Sequence, residues 1–281
     1  MTHRDQIEEL LESLGMKHAA TVLPIILKDA QDKHHSFSWL LTKLLEHERD
    51  GRQQRAIANR ERRARFPEDW TLKTFPWELQ PGVDQREIME LAELKFIQQA
   101  ANIVLVGDVG VGKTGLAIGL GREAVLVGGY NVLFLKIHDL IDMLTASLLD
   151  RSTPRVLRRL ARLDLLLIDE FSHVTMTEEQ ANLLFRLIDS RYHRKSTIFT
   201  TNIGFDDWGK YLRNPALTRS LAARVTDQCY VIRIEGPSIR PGPRPRQSAR
   251  PKSTSSNSEK TTGQEEKKNR DTTGAECHLV R

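Results

Sequence analysis

Apolar residues recur through the first 66 positions at the three- and four-residue steps of a helix with one buried face, as in IEELLESLGM and FSWLLTKLLEHE. Pro24 and Gly51 interrupt this pattern, which predicts two or three helices. The stretch RFPEDWTLKTFPWELQPGVD (65–84) carries Pro67, Pro76, Pro81 and Gly82, so 67–84 is expected to be an extended linker. From 85 to 240 the period changes. Short apolar runs, NIVLV (102–106), NVLFL (131–135), DLLLI (164–168), STIFT (196–200) and CYVIRI (229–234), predict strands. Helical patterns lie between them: LAIGLGREAVLV (116–127), and TEEQANLLFRLIDSRYHRK (177–195), where Thr177 stands before two acids as a helix start. Strands alternating with helices predict an α/β fold, a mostly parallel sheet with helices on both faces. From 241 to 281 apolar residues are nearly absent until the end, and such a segment buries too little surface to offset its ordering entropy, so a disordered tail is expected.

Composition narrows the class. The chain has 281 residues, 39% hydrophobic and 28% charged, as in a soluble globular protein. No apolar run approaches the ~20 residues of a membrane span, and the first residues lack a basic-then-apolar signal pattern, so a cytoplasmic protein that makes no membrane contact is expected. Cys229 and Cys277 are far apart with no CxxC spacing, which argues against a disulfide framework and against zinc. The formal charge of +5 is uneven. Residues 241–281 hold nine Lys/Arg against five Asp/Glu, and 49–65 holds seven arginines against Asp50 and Glu61. These two segments carry most of the positive charge.

Between the first apolar run and the helix that follows lies Gly107-Asp108-Val109-Gly110-Val111-Gly112-Lys113-Thr114, which fits GxxxxGK[ST] in its required strand–helix setting. The glycines let backbone N–H groups turn inward around phosphate oxygens, and the helix N-terminus adds its positive dipole end. Lys113 would reach the β- and γ-phosphates of ATP, and Thr114 would ligate Mg2+. About fifty residues on, DLLLIDEF ends an apolar strand in Asp169-Glu170. Asp169 fits the second Mg2+ ligand, and Glu170 would orient or deprotonate the attacking water. The next strand ends in Thr200-Thr201-Asn202, and Asn202 is the candidate for sensing the γ-phosphate or positioning water.

The order of GDVGVGKT, LARLDLLLIDEF, EEQANLLFRLIDSRYHRKSTIFTTN, FDDWG and CYVIRIEGPSIR resembles the IstB family, from about residue 1 to 240 and including ARFPEDWTLKTF. These are AAA+ ATPases encoded by insertion sequences beside their transposase, and they are similar to the DnaC helicase loaders. The resemblance implies ATP-driven self-assembly on duplex DNA and delivery of that DNA to the cognate transposase. It places Lys113 and Thr114 on the phosphate-binding pair, Asp169 and Glu170 on the acidic pair, and Asn202 on the first sensor. Arg224, in LAARVTDQCYVI, falls where the family has an arginine thought to act on a neighbouring subunit's ATP, with Arg219 as the other candidate.

Three positions depart from the family pattern: Gly115 in place of His, Ala223 in place of the Asp before Arg224, and FSHVTM in place of a Leu-Gly-Tyr-Leu-Pro type of run. The 241–281 tail also exceeds the family's usual end near Ser238-Ile239-Arg240. It reads equally as an accessory DNA contact, a flexible appendage or a run into an unrelated frame. In ERDGRQQRAIANRERRARF (48–66), Arg52, Arg55, Arg62 and Arg63 are the expected contacts to duplex phosphates, without sequence preference and without aromatic stacking platforms. Two other readings stay open: a DnaC-like loader of a replicative helicase, and a small-molecule kinase, for which no lid arginine set or acceptor pocket is visible.

Overall fold

The computed structural model describes residues 2–240. The expected disordered tail, with Cys277, lies outside the described residues. Three helices open the chain: α1 (His3–Ser13), α2 (Lys17–Asp32) and α3 (Phe37–Ala64). Neither expected interruption breaks a helix, since Pro24 lies inside α2 and Gly51 inside α3. The breaks fall at Gly15 and His34, both in left-handed backbone with φ of 72° and 55°. A proline removes one backbone donor from α2. Its buried face, Ala19, Ala20, Leu23, Ile26 and Ala30, offsets that loss by packing against α3 through Leu44. Gly51 serves close approach, because a Cβ there would lie 2.2 Å from the His18 ring. Met16 cannot cap α2 with its side chain, and Glu48 of α3 does so instead, accepting from His18 N at 2.9 Å and Ala19 N at 3.0 Å.

The rest is one sheet and its helices. After α4 (Gln85–Leu91) and α5 (Lys95–Gln98) the order is β1 (Asn102–Gly107), α6 (Lys113–Leu126), β2 (Val132–Lys136), α7 (Ile137–Leu149), α8 (Thr153–Ala161) and β3 (Leu165–Asp169). Then come α9 (Glu178–Arg191), β4 (Ser196–Thr201), α10 (Gly209–Leu212), α11 (Pro215–Thr226) and β5 (Cys229–Ile234). The strands run in the order β2-β3-β4-β1-β5, every pair parallel. Alternate residues feed two cores. Ile103, Leu105, Leu165 and Leu167 face the layer built on α6, whereas Val104, Leu166 and Ile168 face α7, α9 and α11. Residues 65–84 do more than link. Leu72, Phe75 and Val83 are buried in the α6-side core, and the only helical piece among them is a turn at Trp77–Leu79. All strands end at one edge, and β1, β3 and β4 deliver Gly107, Asp169 and Thr201 there. Among the described residues no helix is long and apolar enough to cross a membrane.

The α2–α3 contact has a test of opposing signs. Helix propensity alone favours Gly51→Ala by about 1 kcal/mol, while overpacking costs about 1–3 kcal/mol. The clash with His18 is at the base of its ring, so packing is expected to win and the thermal midpoint to fall by roughly 2–6 °C. A rise in midpoint would show that α2 and α3 yield freely.

Candidate nucleotide-binding site

The loop at 108–112 turns because Gly110 and Gly112 sit in left-handed backbone, at φ of 88° and 97°. Gly112 is the N-cap of α6, so Lys113 and Thr114 open the helix with its free N–H groups facing the loop. Lys113 Nζ donates to the carbonyls of Gly107 and Asp108, both at 2.7 Å. Burial pulls its ammonium below the usual lysine range against the opposing pull of Asp169 and Asp108, and nearby Arg240 pulls the same way as burial. The amine is thus a partly desolvated cation held at the mouth of the loop.

Asp169 is the centre of the edge. Its Oδ1 accepts from Thr114 Oγ1 at 2.9 Å and Thr200 Oγ1 at 2.5 Å. Burial pushes the carboxyl up, partly offset by those two hydroxyls. Glu170, the next residue, takes a left-handed φ of 58°, which turns the chain out of the strand line. Its N–H donates to Thr200 Oγ1 at 2.9 Å, and its carboxylate meets Lys136 Nζ at 3.2 Å and His173 Nδ1 at 3.8 Å. Lys136 is the register partner of Asp169 across β2 and β3. Under this corner Phe171 packs on Trp208, from the FDDWG run, with ring centroids 4.2 Å apart, and edge-on to Phe199. Asn202 follows β4, and its carboxamide is hydrogen-bonded to Ser172 Oγ. A buried carboxylate beside a threonine hydroxyl, under a loop of backbone donors, fits Mg2+ held by Thr114 and Asp169 together with phosphate oxygens.

The walls were not legible from motif spacing. Gln80 Nε2 donates to Val111 O and Pro237 O, both at 3.1 Å, and Ile239 N donates to Gly110 O at 2.9 Å. A Cβ on Gly112 would lie 2.8 Å from Phe75 and 2.9 Å from Ile239, so both glycines and their covering segments fit each other. At Gly115 the room for a side chain is taken by the Trp70 indole, 3.2 Å from where a Cβ would stand. That is how residues 65–84 accommodate the departure at this position. On α6, Arg122 pairs with Glu61 at 2.9 Å and Asp69 at 2.6 Å and lies over Phe66, tying α6 to the end of α3.

The remaining candidates are dispersed. Arg224 Nε donates to Asp189 at 2.6 Å on the same chain, with the guanidinium over Phe185. Arg219 is exposed and makes no ion pair among the described residues. The four arginines expected to face DNA divide. Arg52 bonds Glu48 and Gly15 O, and Arg55 bonds His18, so both brace the α2–α3 junction. Arg62 bonds Asn59, and Arg63 lines a separate groove beside β2. Thr200 was passed over in favour of Asn202, yet it touches both acids. Its place at the end of the strand beside Asp169 was the available signal.

The family described as IstB-like ATP binding protein matches residues 9–247. The ATP-binding protein of insertion sequence IS21 from Pseudomonas aeruginosa is 36% identical over 235 residues, 84% of this chain and 88% of its own. That of insertion sequence IS232 from Bacillus thuringiensis subsp. berliner is 34% identical over 235 residues, 84% of this chain and 94% of its own. Among solved structures, the replication initiator DnaA bound to AMPPCP and single-stranded DNA has a TM-score of 0.50 at 21% identity, over 59% of this chain and 50% of that one. The last likeness is one of fold, the AAA+ domain.

Thr200→Val removes the acceptor for Glu170 N–H and the donor to Asp169. An unpaired buried donor costs about 1–3 kcal/mol. The variant is expected to melt several degrees lower and to bind ATP more weakly, while Thr200→Ser keeps both properties. An unchanged midpoint for the valine variant would remove Thr200 from the role given to it.

Proposed function

The chain belongs to the IstB-like ATP-binding protein family, and from that membership we propose that it hydrolyses ATP to assemble on duplex DNA and deliver it to a partner transposase of its insertion sequence. The observation that supports hydrolysis most is the contact of Thr114, Asp169 and Thr200 beneath the phosphate loop, with Glu170 turned out beside it. The backbone N–H groups at 110–114 bind the phosphates, and Lys113 leaves the Gly107 and Asp108 carbonyls for the γ-phosphate oxygens. Mg2+ held by Thr114 and Asp169 would supply charge neutralisation on the phosphates. Glu170 accepts a proton from the attacking water, with Lys136 Nζ, 3.2 Å from its carboxylate, orienting it. Asn202, just past the end of the adjacent strand, and Ser172, two residues after Glu170, are hydrogen-bonded to each other and placed to position that water.

Self-assembly completes the site. An arginine from the next subunit would stabilise the charge on the transferred phosphoryl group. Arg224 can serve only after leaving Asp189, while Arg219 is exposed for the role.

Two experiments test this. Particle size in solution is measured with ATP and either duplex or single-stranded DNA, for the wild type and Lys113→Ala. Large ATP-dependent assemblies on duplex are expected, lost in the variant along with nucleotide binding. Assembly on single strands alone would move the assignment to a helicase loader. Glu170→Gln is expected to slow ATP turnover by about a hundredfold or more and to hold the ATP-bound, DNA-bound assembly together. A variant that turns over ATP like the wild type would remove Glu170 from the chemistry.

A further inference from the structure

A second arginine run, RSTPRVLRRLAR (151–162), holds five arginines and no acid, and it lies some hundred residues from the first. The fold brings the two together. Arg60, Arg63 and Arg65 from the end of α3, and Arg159 and Arg162 from the end of α8, line one groove of about 390 Å³ over the edge of β2. Among the described residues no carboxylate lines it. The acids nearest in sequence to the groove arginines are committed elsewhere, Glu61 and Asp69 to Arg122 and Asp164 to Lys195 and Asn131, while Asp142 next to Met143 is exposed and does not line the groove. Arg159 has only Met143 Sδ, at 3.2 Å, as a side-chain partner among the described residues.

Helix ends attract cations, and both helices end here with arginines in the last turn. That accounts for one or two arginines at each end. It does not account for Arg65 and Arg162 beyond the helices, converging on the same groove with no ion-pair partner among the described residues. The groove is also held in shape. Buried Arg191 donates to Leu160 O at 2.7 Å and Leu163 O at 2.9 Å, fixing the turn from which Arg159 and Arg162 emerge. On the other side, Arg122 fixes the end of α3 through Glu61.

We propose that this five-arginine groove is the phosphate-backbone binding surface for duplex DNA, in place of the Arg52–Arg55 portion of α3. The proposal rests on the duplex-binding reading above. Its shape favours a long polyanion over a short acidic peptide. Exposed Arg62 on α3 and exposed Arg155 and Arg158 on α8 lie within a few residues of the groove arginines and extend the positive charge beyond it. Guanidinium groups also match phosphate oxygens in paired hydrogen bonds. Contact through phosphates alone gives binding without sequence preference.

The test uses the full chain with a non-hydrolysable ATP analogue and a labelled 40-base-pair duplex, followed by fluorescence anisotropy across a salt series. Arg159→Ala with Arg162→Ala is expected to weaken binding by about tenfold or more and to flatten the salt dependence by up to about two phosphate contacts. Nucleotide affinity, measured with labelled ATP, stays at the wild-type level and reports an intact fold. Lysines at both positions recover most of the salt slope. Wild-type affinity and slope in the alanine pair would overturn the groove while leaving duplex binding standing. Wild-type protein that binds no duplex would overturn the functional reading itself. Loss of polyglutamate binding with duplex binding intact would assign the groove to an acidic protein partner.

Discussion

One carboxylate oxygen organises the nucleotide edge. Asp169 Oδ1 accepts from hydroxyls on two different elements, Thr114 at the start of α6 and Thr200 at the end of β4. A buried carboxylate with no partner would be costly, and these two donors make its burial tolerable. The same threonine that serves Asp169 also takes the N–H of Glu170, so the left-handed turn at Glu170 is held by the next strand. The glycine loop, the acidic pair and the end of β4 are therefore one hydrogen-bonded unit. Burial raises the Asp169 carboxyl and lowers the Lys113 ammonium, so each charge sits in a place that favours an incoming ion of opposite sign.

A unit of that kind needs walls, and the chain supplies them from two ends. Residues 65–84 bury Leu72 and Phe75 against α6, and 236–239 return from β5 across the loop. Gln80 binds both, at Val111 O and Pro237 O. The glycines of the loop therefore have two duties. Gly110 and Gly112 permit the backbone turn, and they leave room for Ser238, Phe75 and Ile239 to approach.

What was legible in the sequence was local. Five apolar runs became five strands, the glycine-lysine spacing became a loop before a helix, and the acids at the end of DLLLIDEF reached its edge, because each depends on neighbours a few residues away. What was not legible depends on distant partners. Proline and glycine signal breaks only when nothing else favours the helix; Pro24 lies in a helix whose other face is buried against α3, and Gly51 lies where α3 meets His18 of α2. Arg52 reads as free charge in isolation, yet Glu48, thirty residues from the α2 residues it caps, holds it. Arg224 is likewise committed to Asp189 on another helix. The α8 arginines lie some hundred residues from those of α3 along the chain, and only the fold sets them beside α3.

The two charged sites are joined by a single rigid element. Lys113 and Arg122 lie nine positions apart on α6, roughly 14 Å at the helical rise. The first faces the phosphate loop, and the second holds Glu61 and Asp69 at the end of α3. Arg122 is nearly enclosed, at 14% side-chain exposure, while its partner Asp69 is exposed to solvent, so the pair with Glu61 is the better shielded of the two. Through these contacts α6 joins the phosphate loop to the end of α3, where Arg60, Arg63 and Arg65 line the groove.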